Sequence, residues 1–286
     1  MKHNNLQYIP IKQTQRIILC ISLICICISC SNDDTEEGNY PKTSFSKIEL
    51  SQTYVGDALP VTTTQAYNYK KGRLTSYILR QSYTAIEPVI MEQTTAITYK
   101  NSKVTVTDAF DNSSTYTLND EGYAISCIRQ EQGTDNTRTY TFDYLLSGGK
   151  HYLKQMTECI NNVPYASINI EYNSDYTLQI TFKIDDYEQT YTAITANNLS
   201  NKSEIPSLFL SELYPLSSHA VAIYGKLLGD PLDVLIDKII PDGNDENNET
   251  TTYNYEIDNR GIVTSCKEVI NSYGTDYVRT VNYIIE

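Results

Sequence analysis

The feature that most constrains the fold of this chain is a two-residue alternation of apolar and polar side chains, which recurs from Phe45 to the end. It is clear in Val104–Thr107, Tyr140–Tyr144, Ile168–Tyr172 and Val278–Tyr283. Such alternation is typical of β-strands that have one buried and one solvated face. About fifteen such runs are separated mostly by about two to five turn residues. Because short connections join antiparallel neighbours, the sequence predicts an all-β domain of consecutive hairpins, folded as a strongly curved sheet or a barrel.

A weak internal repeat supports this prediction. Tyr67–Ser76, Tyr116–Ser126 and Tyr253–Ser265 each contain a strand, a turn with a glycine, and a second strand. The glycine is expected because the turn requires a positive φ. The copies are irregularly spaced along the chain, which argues against a strict solenoid or propeller.

One short segment, residues 205–228, interrupts the β pattern. Within it, Ser218–Leu228 places Ala220, Ile223 and Leu227 three and four residues apart, which predicts a helix that packs through these three side chains. A shorter helix is expected just before it. A helical excursion between antiparallel strands usually closes one open end of a sheet or barrel.

The N-terminal segment predicts export and a lipid anchor. After a polar, basic start, Ile17–Ser29 is an unbroken run of Ile, Leu, Cys and Ser. The run is shorter than the roughly 20 residues of a membrane-spanning helix, so it indicates a signal peptide over residues 1–29. Cys27–Cys30 resembles a bacterial lipobox, which implies that Cys30 is acylated and anchors the chain to a membrane. The alternative is an ordinary signal peptide that is cleaved without acylation.

Residues 30–44 are rich in Asp, Glu, Asn and Gly, and they predict a flexible acidic tether before a β domain that spans residues 45–286. The start of this tether resembles the surface-export tag of Bacteroidetes lipoproteins, which implies an outer-membrane protein that faces the cell exterior. The residues of the tag are Ser31, Asn32, Asp33 and Asp34.

The net charge and the aromatic composition limit the classes of partner that this protein can bind. The formal net charge is −13, and removal of a signal peptide that carries only basic charges leaves the mature chain still more acidic. Such a chain is repelled by nucleic acid. The chain has 25 tyrosines and no tryptophan, so its aromatic surface is built from tyrosine, which suits half-buried strands and stacking on sugar rings.

No catalytic residues emerge from the sequence. Apart from His3, the histidines are His151 and His219, and neither has a second histidine at metal-ligand spacing. His219 falls in the first turn of the predicted helix, where the helix dipole would lower its pKa, but a packed position is the simpler interpretation. His151 follows a Gly-Gly pair and is expected at a hairpin tip.

An acidic loop is the one candidate for a metal, calcium, and no other cofactor is expected. Its possible oxygen ligands lie close together, but their spacing does not match an EF-hand, and the alternative is a solvated hairpin loop. These residues are Asp242, Asn244, Asp245 and Glu246.

Three cysteines, Cys127, Cys159 and Cys266, lie in the predicted domain. Cys127 and Cys266 each follow the turn glycine of their repeat copy by five residues, so both are expected on the same face of the sheet. They pair if those hairpins are neighbours, and otherwise they are buried free thiols.

The tether, the hairpins with Tyr-x-Tyr strands and glycine turns, and the late helical excursion together resemble a family of Bacteroidales surface lipoproteins. That family is of unknown function and has a porin-like fold. The resemblance implies a curved antiparallel sheet or barrel over about residues 45–286, and it implies no activity and no functional residues.

Two classes of function stay open from the sequence. The first is a non-catalytic binding or adhesion module for extracellular glycan or protein. The second is a secreted hydrolase that uses carboxylates, and a purely structural surface lipoprotein is a further alternative. A cleft with two convergent carboxylates of raised pKa favours the hydrolase, whereas a tyrosine-lined face without them favours binding.

The lipid anchor gives a direct prediction. Mass spectrometry of the mature N-terminus should find a lipid-modified Cys30, and Cys30→Ala should release the protein from the membrane fraction. Cys25→Ala is the matched control, because the large Ile24 before it does not suit the signal peptidase. Equal membrane retention of both variants would contradict acylation at Cys30.

Overall fold

The computed structural model describes residues 39–54, 61–83, 89–243, 249–272 and 274–286. Sixteen strands in these ranges pair in chain order, each antiparallel to its neighbours, and the first strand pairs with the last. The sheet therefore closes into an up-and-down barrel, which confirms the predicted fold class and decides for a barrel over an open sheet. The strands are β1 Lys47–Tyr54, β2 Val61–Lys70, β3 Arg73–Tyr83, β4 Val89–Lys100, β5 Lys103–Thr107, β6 Ser113–Leu118, β7 Ala124–Gln130, β8 Thr137–Ser147, β9 Lys150–Ile160, β10 Val163–Tyr172, β11 Thr177–Ile184, β12 Tyr187–Ser200, β13 Val234–Pro241, β14 Thr250–Ile257, β15 Val263–Ser272 and β16 Thr275–Ile285.

The alternating side chains point into and out of the barrel. On β10, for example, Ala166, Ile168 and Ile170 are buried inside, whereas Ser167 and Asn169 lie on the outer face. Strands β6 and β14 likewise place threonine, serine, asparagine and glutamate outward. The interior is thus apolar and the exterior largely polar.

The barrel has two different ends. Turns that follow even-numbered strands lie at the end where the chain enters and leaves, which we call the proximal end, and turns that follow odd-numbered strands lie at the distal end. At the proximal end, Lys71 and Gly72 have φ values of 54° and 78°, the left-handed pair of a tight hairpin turn. Asn119 and Asp258 begin two of the other turns, and each side chain accepts two backbone hydrogen bonds. The hairpin turns that the internal repeat predicts are therefore present in the structure.

The N-terminal residues pack onto these proximal turns. The Asn39 side chain donates to the Asp120 carbonyl (2.9 Å), and Tyr40 is buried in the core against the edge of Tyr99. A Cβ on Gly122 would lie 2.3 Å from the Asn39 carbonyl oxygen, so this turn requires glycine for space as well as for its φ of 94°. Residues 39–44, which composition assigns to the tether, thus lie against the barrel. The rest of the predicted tether and the signal peptide lie outside the described residues.

A long connection between β12 and β13, residues 201–233, fills the proximal lumen; we call it the insert. It contains α1 (Leu208–Glu212), a 3-10 turn (Leu216–His219) and α2 (Ala220–Tyr224). The ring of Tyr224 stacks on Tyr67 of β2, with centroids 3.9 Å apart. Within the described ranges, no helix is long and apolar enough to cross a membrane.

A buried carboxylate holds the insert to the barrel wall. Glu158 of β9 is fully buried. It accepts hydrogen bonds from Arg138 (2.7 Å), from Tyr140 (3.0 Å) and from Tyr214 of the insert (2.8 Å). Because a buried charge is costly unless it is paired, this network specifies where the insert sits.

The predicted helix over Ser218–Leu228 is wrong in length and in its buried face. The α-helix ends at Tyr224, and Ala222 and Tyr224 are its buried residues, whereas Ala220 and Ile223 are only partly buried. Leu227 is buried as predicted, but beyond the helix. The physical reason is that the barrel wall surrounds the insert. The spacing of apolar residues in this segment therefore does not indicate a single buried helix face.

Leu227 gives a test of the filled lumen. It is 2% exposed, so Leu227→Ala should lower the free energy of unfolding by about 2 to 5 kcal/mol, through lost burial and the cavity left behind. The matched control is Leu146→Ala, at a position 63% exposed, where a change within about 0.5 kcal/mol is expected. Urea unfolding of both variants is the measurement, and equal effects would contradict a packed insert.

Candidate functional site

On one side of the barrel the distal part of the lumen is not filled and forms an open cavity of about 970 Å³, which we call the distal cavity. Its wall comes from seven neighbouring strands, β1, β2 and β12 to β16, and α1 lies at its floor. The cavity exists because, on this side of the barrel, the insert reaches only as far as α1. Two further cavities, of about 10 and 60 Å³, border the insert and are far smaller.

Aromatic side chains line the distal cavity from rim to floor. Tyr187 and Tyr277 stand at the rim and are 58% and 60% exposed. Deeper in the cavity, the ring of Tyr191 meets the edge of Phe209 of α1, with centroids 5.0 Å apart, and Tyr253 is buried. Tyrosine offers both an apolar ring face and a hydroxyl, so this lining suits ligands that are apolar on one face and polar at their edge.

An ion-pair cluster forms the floor. Arg279 of β16 donates from Nη1 and Nη2 to the two carboxylate oxygens of Glu212 (2.9 and 2.8 Å) and from Nε to Glu268 (2.7 Å). Burial alone would lower the pKa of Arg279, but the bonds and charges of Glu212 and Glu268 together raise it. The guanidinium therefore stays charged and ties α1 to β15 and β16.

Further carboxylates lie closer to the rim. Glu249 accepts a hydrogen bond from the Ser272 hydroxyl (2.9 Å), and Asp276 accepts one from Asn271 (2.8 Å). Burial, then the neighbouring Tyr187 and Glu249, raise the pKa of Tyr191. The described lining thus carries four carboxylates and one guanidinium, and it is acidic like the chain as a whole.

The cavity meets the expectation for a hydrolase only in part. Glu212 and Glu268 do converge, but both bind the same guanidinium. Arg279 therefore lies between the two carboxylates, where a glycosidase leaves room for the sugar and a water. The two carboxylates and the guanidinium therefore hold α1 in place at the floor of the cavity.

The candidate His219 lies in the filled part of the lumen and does not line the distal cavity. It is completely buried, its Nδ1 is 2.7 Å from the Tyr116 hydroxyl, and the edge of Tyr140 packs on its ring. Burial, and then the charge of Arg129, lower the pKa of His219 to about 3. It is a neutral core residue, as the simpler interpretation had it.

His151 lies at the second position of β9, next to the Gly148–Gly149 turn, as predicted. Its Nε2 is 2.8 Å from a carboxylate oxygen of Glu121, and its ring lies beside Tyr123. This group is at the proximal end, so neither histidine borders the distal cavity.

Cys127 and Cys266 both face the lumen, as their equivalent positions predict, and both are buried free thiols. They belong to β7 and β15, which are not neighbours in the barrel, so the disulfide alternative is wrong. Burial raises the pKa of each thiol to about 12, which makes both inert. Cys159 is also free and partly buried.

Of the calcium candidates, only Asp242 is described. Its carboxylate accepts from the Thr192 hydroxyl (3.2 Å), and its backbone N–H donates to the Thr190 carbonyl. Asn244, Asp245 and Glu246 lie outside the described residues, so calcium at this loop stays a prediction. Across the described ranges, no three acidic, histidine or cysteine side chains are placed to hold a metal ion. Cys30 and the tag residues Ser31, Asn32, Asp33 and Asp34 also lie outside the described part.

Sequence reasoning missed the residues of the floor, although a signal for them was present. Glu268 falls two residues after Cys266 and two before Ile270, on the inward side of β15. Arg279 likewise falls between Tyr277 and Val281 on β16. A charged side chain at an inward position of an otherwise apolar alternation marks a buried ion pair or a site. What the strand pattern could not show is that the two positions face each other and α1.

Comparisons with known proteins give a family and a fold. A family model described as a domain of unknown function (DUF4595) with porin-like fold matches residues 67–265. The crystal structure of a porin-like protein from Bacteroides uniformis ATCC 8492 is 49% identical, covers 88% of this chain and all of that chain, and has a TM-score of 0.83. A porin-like protein from Bacteroides vulgatus ATCC 8482 is 10% identical over 85% of this chain and 98% of its own, with a TM-score of 0.53, and it shares the fold alone. No curated protein matches the chain.

The buried His219 predicts a dependence of stability on acid. Its pKa is about 3 in the folded protein and 6.5 when unperturbed, so between these values the unfolded chain binds a proton that the folded chain does not. The stability that depends on this neutral imidazole is complete above pH 6.5 and is lost as the pH falls towards 3, by up to about 1.4 kcal/mol per pH unit.

The measurement is urea unfolding of wild type and His219→Gln from pH 7 to pH 4. The variant should lose stability less steeply than wild type, relative to its own value at pH 7. Gln155→Asn, at an exposed uncharged position of β9, should follow the wild-type slope. Identical slopes for wild type and His219→Gln would contradict a neutral buried imidazole.

Proposed function

The chain belongs to the family of unknown function with a porin-like fold, and we propose that it is a non-catalytic binding protein that takes short extracellular glycan chains into its distal cavity. The observation that carries this proposal is the lining of that cavity by four tyrosines and one phenylalanine. Sugar rings stack their apolar faces on such rings. Its volume of about 970 Å³ lies at the upper end of small-molecule sites, which leaves room for several sugar units.

Polar groups between the rings supply the other half of sugar recognition. Side chains of Gln52, Thr63 and Gln189 line the same wall. Amides and hydroxyls of this kind hydrogen-bond sugar hydroxyls and so fix the orientation of a ligand that the aromatic rings hold by contact.

The polar outer surface of the barrel supports a location in water, outside the bilayer. In this proposal, the lipid on Cys30 is what attaches the protein to the membrane. A barrel whose strands cross a bilayer presents an apolar band outward and a polar interior. Here the outer positions are largely Thr, Ser, Asn and Glu, and the filled part of the lumen is largely apolar. We therefore place the barrel beside the outer membrane as a lipoprotein, with Ser31, Asn32, Asp33 and Asp34 as its tag for the cell exterior.

The position of the N-terminal segment supports an outward-facing cavity. Residues 39–46 lie at the proximal end, and the cavity opens at the distal end. A lipid on Cys30 would join the chain at the proximal end, so the distal cavity would face away from the membrane and towards extracellular ligands.

The hydrolase and the purely structural lipoprotein are less well supported alternatives. Arg279 occupies the space between the two convergent carboxylates, which a hydrolase needs for its substrate. An open, tyrosine-lined cavity at one end has no part in holding the barrel together. Turnover of a glycoside by the purified protein would favour the hydrolase, and the absence of any ligand would favour the structural alternative.

The proposal predicts that cavity tyrosines carry glycan affinity. In a glycan array followed by calorimetry on the full chain in detergent, Tyr191→Ala and Tyr277→Ala should each weaken binding by about tenfold, through loss of a stacking ring.

Tyr176→Ala is the matched control, because Tyr176 is 65% exposed and lies at the proximal end. It should bind like wild type. Glycan affinity that survives both cavity changes, or no affinity for any glycan in the wild type, would refute the proposal.

A further inference from the structure

We infer that the distal cavity selects glycan chains that carry amino groups over neutral chains, and that it rejects anionic ones. This inference rests on the proposed function, because it names the ligand class of the same cavity. It follows from the balance of donors and acceptors that the cavity wall presents to a ligand.

The cavity presents no available cation. The guanidinium of Arg279 is the one basic group among the described lining residues, and its three nitrogens already donate to Glu212 and Glu268. A carboxylate or sulfate on a ligand would have to displace one of these carboxylates and would then face the others. Anionic glycans therefore meet repulsion without a compensating ion pair.

The cavity does present accessible acceptors. One oxygen of Glu249, an exposed residue, accepts from Ser272, and its second oxygen has no donor within the described ranges. The carboxylate of Glu212 at the floor is 47% exposed, so its oxygens can accept from a ligand as well as from Arg279. Both positions therefore suit a ligand rich in N–H donors.

An ammonium group matches these acceptors better than a hydroxyl does. It brings three donors and a positive charge, and hydrogen bonds between charged partners are stronger than neutral ones. Glu249 and Tyr191 line the same cavity, so a sugar stacked on the Tyr191 ring would direct its substituents towards a wall that carries this carboxylate. An amino sugar combines the stacking ring with the ammonium group.

The test uses a matched ligand series on the full chain in detergent. Chitotetraose and its fully deacetylated form have the same length and linkage, and they differ in charge at a pH of about 6. Calorimetry should give about tenfold tighter binding of the deacetylated form, and an increase from about 50 mM to about 300 mM salt should weaken only that form. Tetragalacturonate, the anionic arm, should not bind.

The charge is then assigned with one variant, at Glu249 just before β14, and a control on β14 itself. Glu249→Gln keeps the acceptor for Ser272 and should weaken the deacetylated ligand by about fivefold while leaving chitotetraose within about twofold. Glu256→Gln is the control, because Glu256 also accepts from a serine, Ser265, but on the exposed outer face of β14. It should change neither affinity.

The outcomes separate this inference from the proposed function. Equal binding of both chitotetraose forms, tighter binding of tetragalacturonate, or equal effects of Glu249→Gln on both forms would overturn the charge preference and leave the glycan cavity intact. If none of the three ligands binds and the glycan array is also silent, the proposed function fails together with the inference. Unchanged melting temperatures of both variants show that a lost affinity does not reflect unfolding.

Discussion

Everything in this molecule depends on the closure of a sixteen-stranded sheet around a lumen that strand side chains cannot fill. Eight-stranded barrels fill their interior with the side chains of their own strands, whereas barrels of sixteen strands leave a channel. A lumen of that width is stable in water only where something fills it or polar groups line it. Here the insert between β12 and β13 fills one part, where Tyr224 stacks on Tyr67 of the wall, and charged side chains line the distal cavity.

Two ion-pair networks then set how far the filling extends, one on the fully buried Glu158 and one on the partly buried Arg279. Glu158 holds Tyr214 of the insert to β8 and β9, and Arg279 holds Glu212 of α1 to β15 and β16. Charges of this kind specify position more than they add stability, because their desolvation offsets much of their attraction. Because α1 stops at Arg279, the same contact that ends the core also forms the floor of the distal cavity. The distal cavity, in which we propose that glycan binds, is thus the part of the lumen that the insert leaves open.

The strands could be predicted from the sequence because each has one solvent-facing and one buried face. Their antiparallel pairing could be predicted because short turns join only antiparallel neighbours. The inward burial of Cys127 and Cys266 follows from the same periodicity. The failure at Ser218–Leu228 has a different cause, since the segment is contacted from more than one direction and its apolar spacing does not mark a single buried face. Glu268 and Arg279 stood at inward positions of their strands, but their pairing with Glu212 depends on which strands meet across the lumen.

The sequence by itself therefore determined the β class, the hairpin order, the turn glycines and the sides of the strands, because these depend on interactions between residues close in the chain. The sequence also predicts the cellular location, through Cys30 and the residues around it. Only the tertiary structure decided that β1 closes on β16, that the insert lies inside the barrel, and that side chains from seven strands share one cavity with those of α1. Those contacts join residues far apart in sequence, and their partners are chosen by the width of the lumen and by burial of charge, which no local pattern records.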